Sequence, residues 1–584
     1  MLVLISGTAG GAYLYYHQHV EQLGNLTPAE KRTQKNLAVV SADQPAVALV
    51  IGYDHRSSDG KGAPSRSDTL MLVRADPQTS SISLLSFPRD MAVPIHCPGQ
   101  PVTTDKINHA YFECGPQGSL QTIKALTGLD VNYLITVDFL GFVKLVDRFG
   151  GVWLDIDRRY FNDHGGPGGY AKIDLQPGYQ RLTGRQALSY VRYRHTDSDL
   201  YRVARQQQFV KAFKSLIQGH FGLGTLLKVV DTVTASVHVA QGGGGKVNGG
   251  TILRYARFAY ELPKGHVFQV RIQGFQGYAE LTTATSNVTR AVEEFTHPDV
   301  EAPKAATAVA LGQKVKRKVP APHDTSVIVL NGNGTPGSAT TAAYQLGQRG
   351  YRTITAPNGI APNAPNFNYF QTEVYYRPGR KGAREAAAKV ANLFGTTEVK
   401  RLSPSIGRLS NGAMVTVVVG RTYHERLASA PVDETPKRQP PNVTSGASAS
   451  RDLLRRLRAR AGFQLMVPTR IERSSWVDST EPIHLYTIDG KDRAVRIVYR
   501  MGGNEYWGVE ETSWQDAPAL ADDSFTRHIG GRTFDLYYNG PHLHMVVLRT
   551  PKARYWVVNT LLDTMSNETM LAIAKGLHPL GKAH

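Results

Sequence analysis

Three apolar runs open the globular part of this chain, and each is bounded by an arginine and an aspartate. Residues 45–56, PAVALVIGYDHR, leave Asp54 and Arg56 just past the first run. Residues 65–73, SRSDTLMLV, put Arg66 and Asp68 just before the second. Residues 83–90, SLLSFPRD, put Arg89 and Asp90 past the third. Short aliphatic runs between Gly, Ser and Asp turns read as strands. One such stretch alone is accounted for by a solvated strand end with a turn. The pattern then changes to alternation: SLQTIKALTG reads as helix, VNYLITVD as strand, FLGFVKLVDRFGG as helix and VWLDID as strand. Strands alternating with helices make an α/β layered fold, and strand ends on one edge of such a sheet converge on a shared cleft. Asp54 and Asp68 are hard oxygen ligands of the kind Mg²⁺ prefers beside phosphate oxygens. The arginines suit a bidentate grip on phosphate.

The densest stretch is RLTGRQALSYVRYRHTDSDLYRVARQQQ, residues 181–208, with arginines at 181, 185, 192, 194, 202 and 205. Arg192 and Arg194 are two apart, so in an extended segment they point the same way. Asp199, Arg202 and Gln206 fall on one face of a helix, and Val210, Phe213 and Ile217 continue that face as core. Arg202 and Gln206 are therefore expected to point inward near a helix N-terminus, with Asp199 a candidate N-cap. An inward arginine is costly unless paired, and a helix N-terminus favours anions. The alternative is a salt-bridged basic helix. Lys106, in TTDKINHAY, adds a point charge suited to phosphate, or is a surface lysine.

The net charge of +19, from 67 Lys and Arg against 48 Asp and Glu, favours an anionic partner: nucleic acid, a membrane surface or a phosphorylated substrate. Met1 to Tyr16 carry no charge. As a helix they would rise about 24 Å, slightly short of a hydrocarbon core of roughly 30 Å. They read as the outer part of a signal anchor, with a buried N-terminal helix as the alternative. The only cysteines, Cys97 and Cys114, lie 17 positions apart. In an exported chain that proximity points to a disulfide, against the alternative of two free thiols.

Composition divides the chain into an anchor helix over 1–18, a polar stalk over 19–45 and a large α/β region over 46–298. An Ala/Pro/Lys-rich linker follows over 299–324, then a small α/β unit over 325–421, a Pro/Ser-rich linker over 422–450, and an α+β module over 451–584.

Gly-x-Asp-x-Arg, Arg-Ser-Asp-Thr, Ser-Phe-Pro-Arg-Asp, Lys-Ile-Asn-x-Ala, Arg-x-Arg and Asp-x-x-Arg-x-x-x-Gln follow one another in this order over roughly residues 45–220. The ordered set resembles the LytR-CpsA-Psr (LCP) family. Residues 325–421, opening VIVLNGNGTPGSA, look like the LytR C-terminal domain. The resemblance implies a three-layer α/β/α catalytic domain with a central mixed sheet. It implies a single-pass membrane protein with most of the chain outside the cytoplasm. It implies a phosphotransferase that moves a glycopolymer from an undecaprenyl diphosphate carrier to peptidoglycan with Mg²⁺ (or Mn²⁺), with a pyrophosphatase side activity possible in principle. By similarity Asp54 and Asp68 would hold the metal. Arg66, Arg89, Lys106, Arg192, Arg194, Arg202 and Gln206 would grip the diphosphate, with Arg89 and Arg202 in catalytic positions. Asp199 would position that cluster or help activate the acceptor hydroxyl. Asp90 is expected to orient Arg89 or neighbouring backbone. No nucleic acid is expected.

Two other readings stay open. One is a DNA-binding transcriptional attenuator, which the positive charge would suit. The other is a non-catalytic binder of polyprenyl phosphate or wall polymer, acting through its basic surface. GNGTPG, residues 332–337, has dinucleotide-site spacing, but no acidic residue follows at the required distance. HLH, residues 542–544, lacks a third metal ligand.

Overall fold

The computed structural model describes residues 26–41, 44–54, 67–77, 79–164, 172–194, 196–219, 237–245, 247, 249–313, 315, 320–354, 361–396, 399–427 and 436–581. The anchor expected over 1–18 lies outside these residues. Among the described residues, no helix is long and apolar enough to cross a membrane.

The chain divides into two compact units, one made of residues 1–313 together with 433–584, the other of residues 314–432. The heart of the first unit is a six-stranded mixed sheet. Its order is His238–Gln241, Tyr133–Asp138, Ala46–Tyr53, Ser67–Asp76, Ser81–Ser86, Val267–Val270. Ser67–Asp76 runs antiparallel to both its neighbours, whereas Tyr133–Asp138 pairs in parallel with Ala46–Tyr53 and Val267–Val270 in parallel with Ser81–Ser86. Alternate residues of each central strand enter opposite cores, as the two-residue period of a strand requires. Leu49, Ile51, Leu70, Leu72 and Leu85 pack with helices His109–Thr127 and Thr285–Thr296 on one face. Val50, Met71, Val73 and Leu84 pack with Val210 and Phe258 on the other. Those two residues come from helices Asp199–Gly219 and Gly249–Glu261. The result is the three-layer α/β/α arrangement that the sequence predicts.

The antiparallel register also explains the charged boundaries. The end of Ala46–Tyr53, the start of Ser67–Asp76 and the end of Ser81–Ser86 share one edge, because Gly52 opposes Thr69 and Met71 opposes Ser86.

Three of the expected boundaries change. The stalk over 19–45 is in part domain: helix Pro28–Gln34 buries Glu30 and Thr33 against the sheet, and Leu37 joins the core. The linker over 299–324 contains helix Ala302–Ala310, whose Ala306 is core and whose Thr307 hydroxyl lies 2.6 Å from that of Tyr538. Its Ala and Pro residues, read as flexible, are small enough for close helix packing. The linker over 422–450 contains strand Val443–Ser445, paired with Arg470–Glu472, and the start of helix Ala447–Ala461.

The C-terminal residues build an antiparallel sheet of eight strands, with helices Ala447–Ala461 and Asn567–Lys575 in its core. This module is not a separate body. Tyr179 shares one apolar cluster with Trp514 and Trp556, with Trp153 packed against it. Residues 314–432 form the second unit, a five-stranded sheet with helices Ser338–Gln348 and Ala383–Leu393 sharing its core.

Candidate functional site

The loops at the charged edge of the sheet and the N-terminus of helix Asp199–Gly219 form one ion-pair lattice. The Asp68 carboxylate accepts from Arg89 Nη1 at 2.7 Å and from Arg192 Nε at 3.1 Å. Arg192 Nη2 also lies 3.5 Å from Asp54 Oδ2, so one guanidinium joins the two carboxylates. That guanidinium stacks 3.9 Å over the ring of Phe139, just past the strand Tyr133–Asp138. Asp90 accepts from Lys106 Nζ at 3.2 Å and from Arg194 Nη2 at 2.6 Å.

Asp199 is the keystone. Its Oδ2 accepts the Arg89 backbone N–H at 2.6 Å, while its Oδ1 lies 2.5 Å from Arg202 Nη2 and 3.7 Å from Arg194 Nε. Both Asp199 and Arg202 are 2% exposed at the side chain. Arg202 Nε has no hydrogen-bond partner among the described residues, nor does Arg89 Nε. A buried, unpartnered guanidinium N–H is costly and marks a place where an anion would be stabilised. Gln206 donates to the Asp68 and Val191 carbonyls at 3.3 and 3.5 Å, fixing the helix against the sheet edge.

The electrostatics follow from this packing. Burial alone would raise the Asp68 carboxyl. Arg202, Arg192 and Arg89 overcome that and hold it below the usual carboxylate range. Burial lowers Arg202, and Asp199 and Asp68 offset part of that.

The structure thus brings together Asp54, Asp68, Arg89, Lys106, Arg192, Arg194, Asp199, Arg202 and Gln206. Arg66 lies outside the described residues. Several expectations change in detail. Arg192 is the last residue of helix Gly184–Arg192, so it and Arg194 do not point the same way along one extended segment. Arg192 serves Asp54 and Asp68, and Arg194 serves Asp90 and Asp199. Asp199 opens its helix, but its carboxylate is spent on Arg89, Arg194 and Arg202. Asp199 Oδ1 makes its contacts to Arg194 and Arg202 as ion pairs and has no hydrogen-bond donor among the described residues. Asp90 lies 3.9 Å from Arg89 Nε and binds Lys106 and Arg194 more closely, so it orders those two cations. Phe213 and Val210 do continue the inward face as partly buried core, while the Ile217 side chain is outside the described set.

Arg205 leaves the cleft. It pairs with Asp197 at 2.6 Å in a separate buried cluster with Arg158, Tyr160 and Tyr193. Sequence reasoning missed Phe139, for which an aromatic following a strand-end aspartate was the one available signal. Cys97 and Cys114 form a disulfide that ties strand Ala92–Ile95 and its partner Thr103–Lys106 to helix His109–Thr127. His544 is ion-paired with Asp563 at 2.6 Å.

Asp54 and Asp68, oxygen donors of the kind hard divalent ions take, are held by a single cation, the Arg192 guanidinium. Among the described residues, no group of three or more His, Cys, Asp or Glu side chains surrounds a common point.

Residues 12–242 match the LytR_cpsA_psr family, and residues 324–423 match the domain described as LytR cell envelope-related transcriptional attenuator. A Bacillus subtilis protein named polyisoprenyl-teichoic acid–peptidoglycan teichoic acid transferase TagU is 30% identical over 236 residues, 39% of this chain and 72% of that protein. The chain belongs to the LytR-CpsA-Psr family. The Bacillus cereus protein of the same name is 34% identical over 218 residues, 36% of this chain, and the chain spans 66% of its length. The crystal structure of Bacillus subtilis TagV aligns at 22% identity with a TM-score of 0.38, over 44% of this chain and 96% of that one. The LytR-CpsA-Psr match ends before the C-terminal module, although that module shares a core with the matched region.

Proposed function

We propose that the cleft is a phosphotransferase site that moves a glycopolymer from an undecaprenyl diphosphate carrier onto peptidoglycan. The observation that carries this reading is the interleaving of five cations, Arg89, Lys106, Arg192, Arg194 and Arg202, with four carboxylates at one sheet edge. A DNA-reading face needs cations unopposed by carboxylates. Here each cation has a carboxylate within ion-pair distance, an arrangement that suits a compact, highly charged diphosphate. The named activity of the Bacillus relatives agrees with it.

Phosphoryl transfer depends on positioning and charge neutralisation more than on covalent chemistry from the protein. Arg89, Lys106 and Arg194 are each about one-third exposed at the side chain, so they can meet an incoming diphosphate. Arg202 lies beneath them and offers a donor to the transferred phosphoryl. An acceptor hydroxyl oxygen bonds to the phosphorus that bears the glycan. The bond from that phosphorus to the bridging oxygen breaks, the polyprenyl phosphate departs with the electron pair, and the hydroxyl proton passes to water at the open side. Asp199 and Asp90 hold the cations in register throughout. Asp54 and Asp68 would hold Mg²⁺ (or Mn²⁺), which when bound supplies charge neutralisation to the diphosphate. Residues 1–18 would anchor the chain in the membrane that holds the carrier.

The test is release of polyprenyl phosphate by the purified full chain from a polyprenyl-diphosphate-linked saccharide with Mg²⁺. Release that is lost in Arg89→Ala and with EDTA supports the reading. Tight lipid binding without turnover, given a wall-glycan acceptor, would favour a carrier-binding module and overturn the catalytic assignment.

A further inference from the structure

A second cavity lies on the opposite side of helix Asp199–Gly219 from the cleft. It encloses about 290 Å³ between strands Val152–Ile156 and Gly178–Leu182, the long helix and the C-terminal sheet. None of the cleft residues lines it. The helix explains the separation. Asp199, Arg202 and Gln206 occupy one face, whereas Gln208, Lys211, Ala212 and Ser215, which line the cavity, fall on the other.

The lining is mainly apolar, with Trp153, Tyr179, Leu216, Tyr537, Met545 and Val558 as its large members. Its acids are already neutralised. Asp155 pairs with Arg496 at 3.0 Å, and Asp522 pairs with Lys214 at 3.2 Å. The lining histidine, His544, is held by Asp563. Lys211 differs. Its ammonium donates to the neutral amide oxygen of Asn539 at 3.2 Å, and no carboxylate of the described residues pairs with it. Burial, with the like charge of Lys214, pushes this ammonium below its ordinary range, and Asp522 and Asp563 oppose that shift without pairing with it. A buried cation with no carboxylate in direct ion-pair contact is a costly arrangement that one anionic group would relieve.

We propose that this cavity binds an amphiphile with a single anionic head, carboxylate or monophosphate, seated on Lys211 with its apolar body against Trp153, Tyr179 and Leu216. The volume corresponds to about ten groups the size of a water molecule, at about 30 Å³ each, so a short chain or a chain end fits. About a third of the lining residues, Pro518, Ala519, Tyr537, Met545 and Val558 among them, come from the C-terminal module, so the cavity is closed only where that module docks. The proposal does not depend on the chemistry of the cleft.

Trp153 supplies the readout. The purified full chain would be titrated with decanoate and, separately, with decanol and decyl phosphate, each below its micelle concentration, while tryptophan fluorescence is followed. Saturable binding of decanoate or decyl phosphate is expected, at least tenfold tighter than decanol; the relative affinity of the two anions identifies the head. Lys211→Met should weaken binding of the anions at least tenfold and leave decanol unchanged, Lys211→Arg should retain it, and Ala212→Trp should block all three. Equal affinity for decanol and the anions, or undiminished anion binding in Lys211→Met, would overturn the proposal. Should Lys211→Met fail to fold, Ala212→Trp decides: unchanged anion binding in that variant would place the ligand elsewhere.

Discussion

Tyr201 and Glu505 stand 304 positions apart in the chain, and the Tyr201 hydroxyl lies 2.8 Å from Glu505 Oε1. The same hydroxyl reaches the Gly503 carbonyl at 3.2 Å, and Asn504 Nδ2 donates to the Thr196 carbonyl at 2.6 Å. The C-terminal module therefore grips both sides of Asp199, the residue on which Arg89, Arg194 and Arg202 converge. Tyr201→Phe should lower kcat for lipid release about three- to tenfold, with KM for the lipid little changed, because geometry at the reacting centre is lost rather than substrate contact. Glu505→Gln, which can still accept from Tyr201, should retain most of the activity. Steady-state kinetics on the two variants checks both outcomes.

The Asp199–Arg202 pair predicts asymmetric stability losses. Asp199→Ala strips a buried guanidinium of its partner and should destabilise by about 3 kcal/mol or more. Arg202→Met leaves Asp199 bonded to the Arg89 N–H and near Arg194, so its cost should be smaller. Urea unfolding of both variants provides the comparison.

Asp54→Asn and Asp68→Asn should each raise the Mg²⁺ concentration needed for half-maximal release about tenfold, and EDTA should abolish release by the wild-type chain. Unchanged metal dependence in both variants would remove these residues from the metal site.

The Cys97–Cys114 bridge closes a 17-residue loop that carries Lys106. Replacing both cysteines by serine should cost about 3 kcal/mol through the looser unfolded chain. A thermal melt under non-reducing conditions measures it.

Glu30 and His238 give a pH signature. Burial would raise the Glu30 carboxyl, but hydrogen bonds from His238, Thr136 and the Thr27 N–H bring it down to about 2. The hydrogen bond to Glu30 raises His238, against the opposing effect of its partial burial. The contribution of Glu30 is present above about pH 4.5 and fades as pH falls toward 2. That of His238 is complete below about pH 6.5 and fades as pH rises through its elevated folded value. The pair is half-solvated on the His238 side, so it should contribute about 1 kcal/mol, greatest near pH 5–6. The stability gap between wild type and His238→Gln should narrow both at pH 8.5 and at pH 3.

The central sheet was legible because its strands obey a two-residue period and their charges sit only at the ends. The inward Arg202 was legible because a 3.6-residue period fixes which helix positions share a face. What each cation touches was not legible. Arg202 and Arg205 are three positions apart on one helix, yet one faces Asp199 and the other Asp197, a choice made by Tyr160 and Tyr193, which sequence spacing does not place. The helix at Ala302–Ala310 was hidden for a different reason. Its composition, mostly Ala with one Pro and one Lys, is shared by flexible linkers, and only the C-terminal module, far along the chain, gives it a surface to bury against.

The nesting of residues 314–432 between two halves of one unit sets an order of assembly. The nested unit is contiguous, so it can fold once about residue 427 has been made. The first unit must wait for its last described strand, near residue 579. At about 5–20 residues per second, the roughly 400 residues between Tyr179 and that strand leave the apolar flank of Trp153 and Tyr179 uncovered for about 20 to 80 seconds during synthesis. The apolar core that the first unit shares with residues 494–558 therefore closes late in synthesis, after the nested unit has been made.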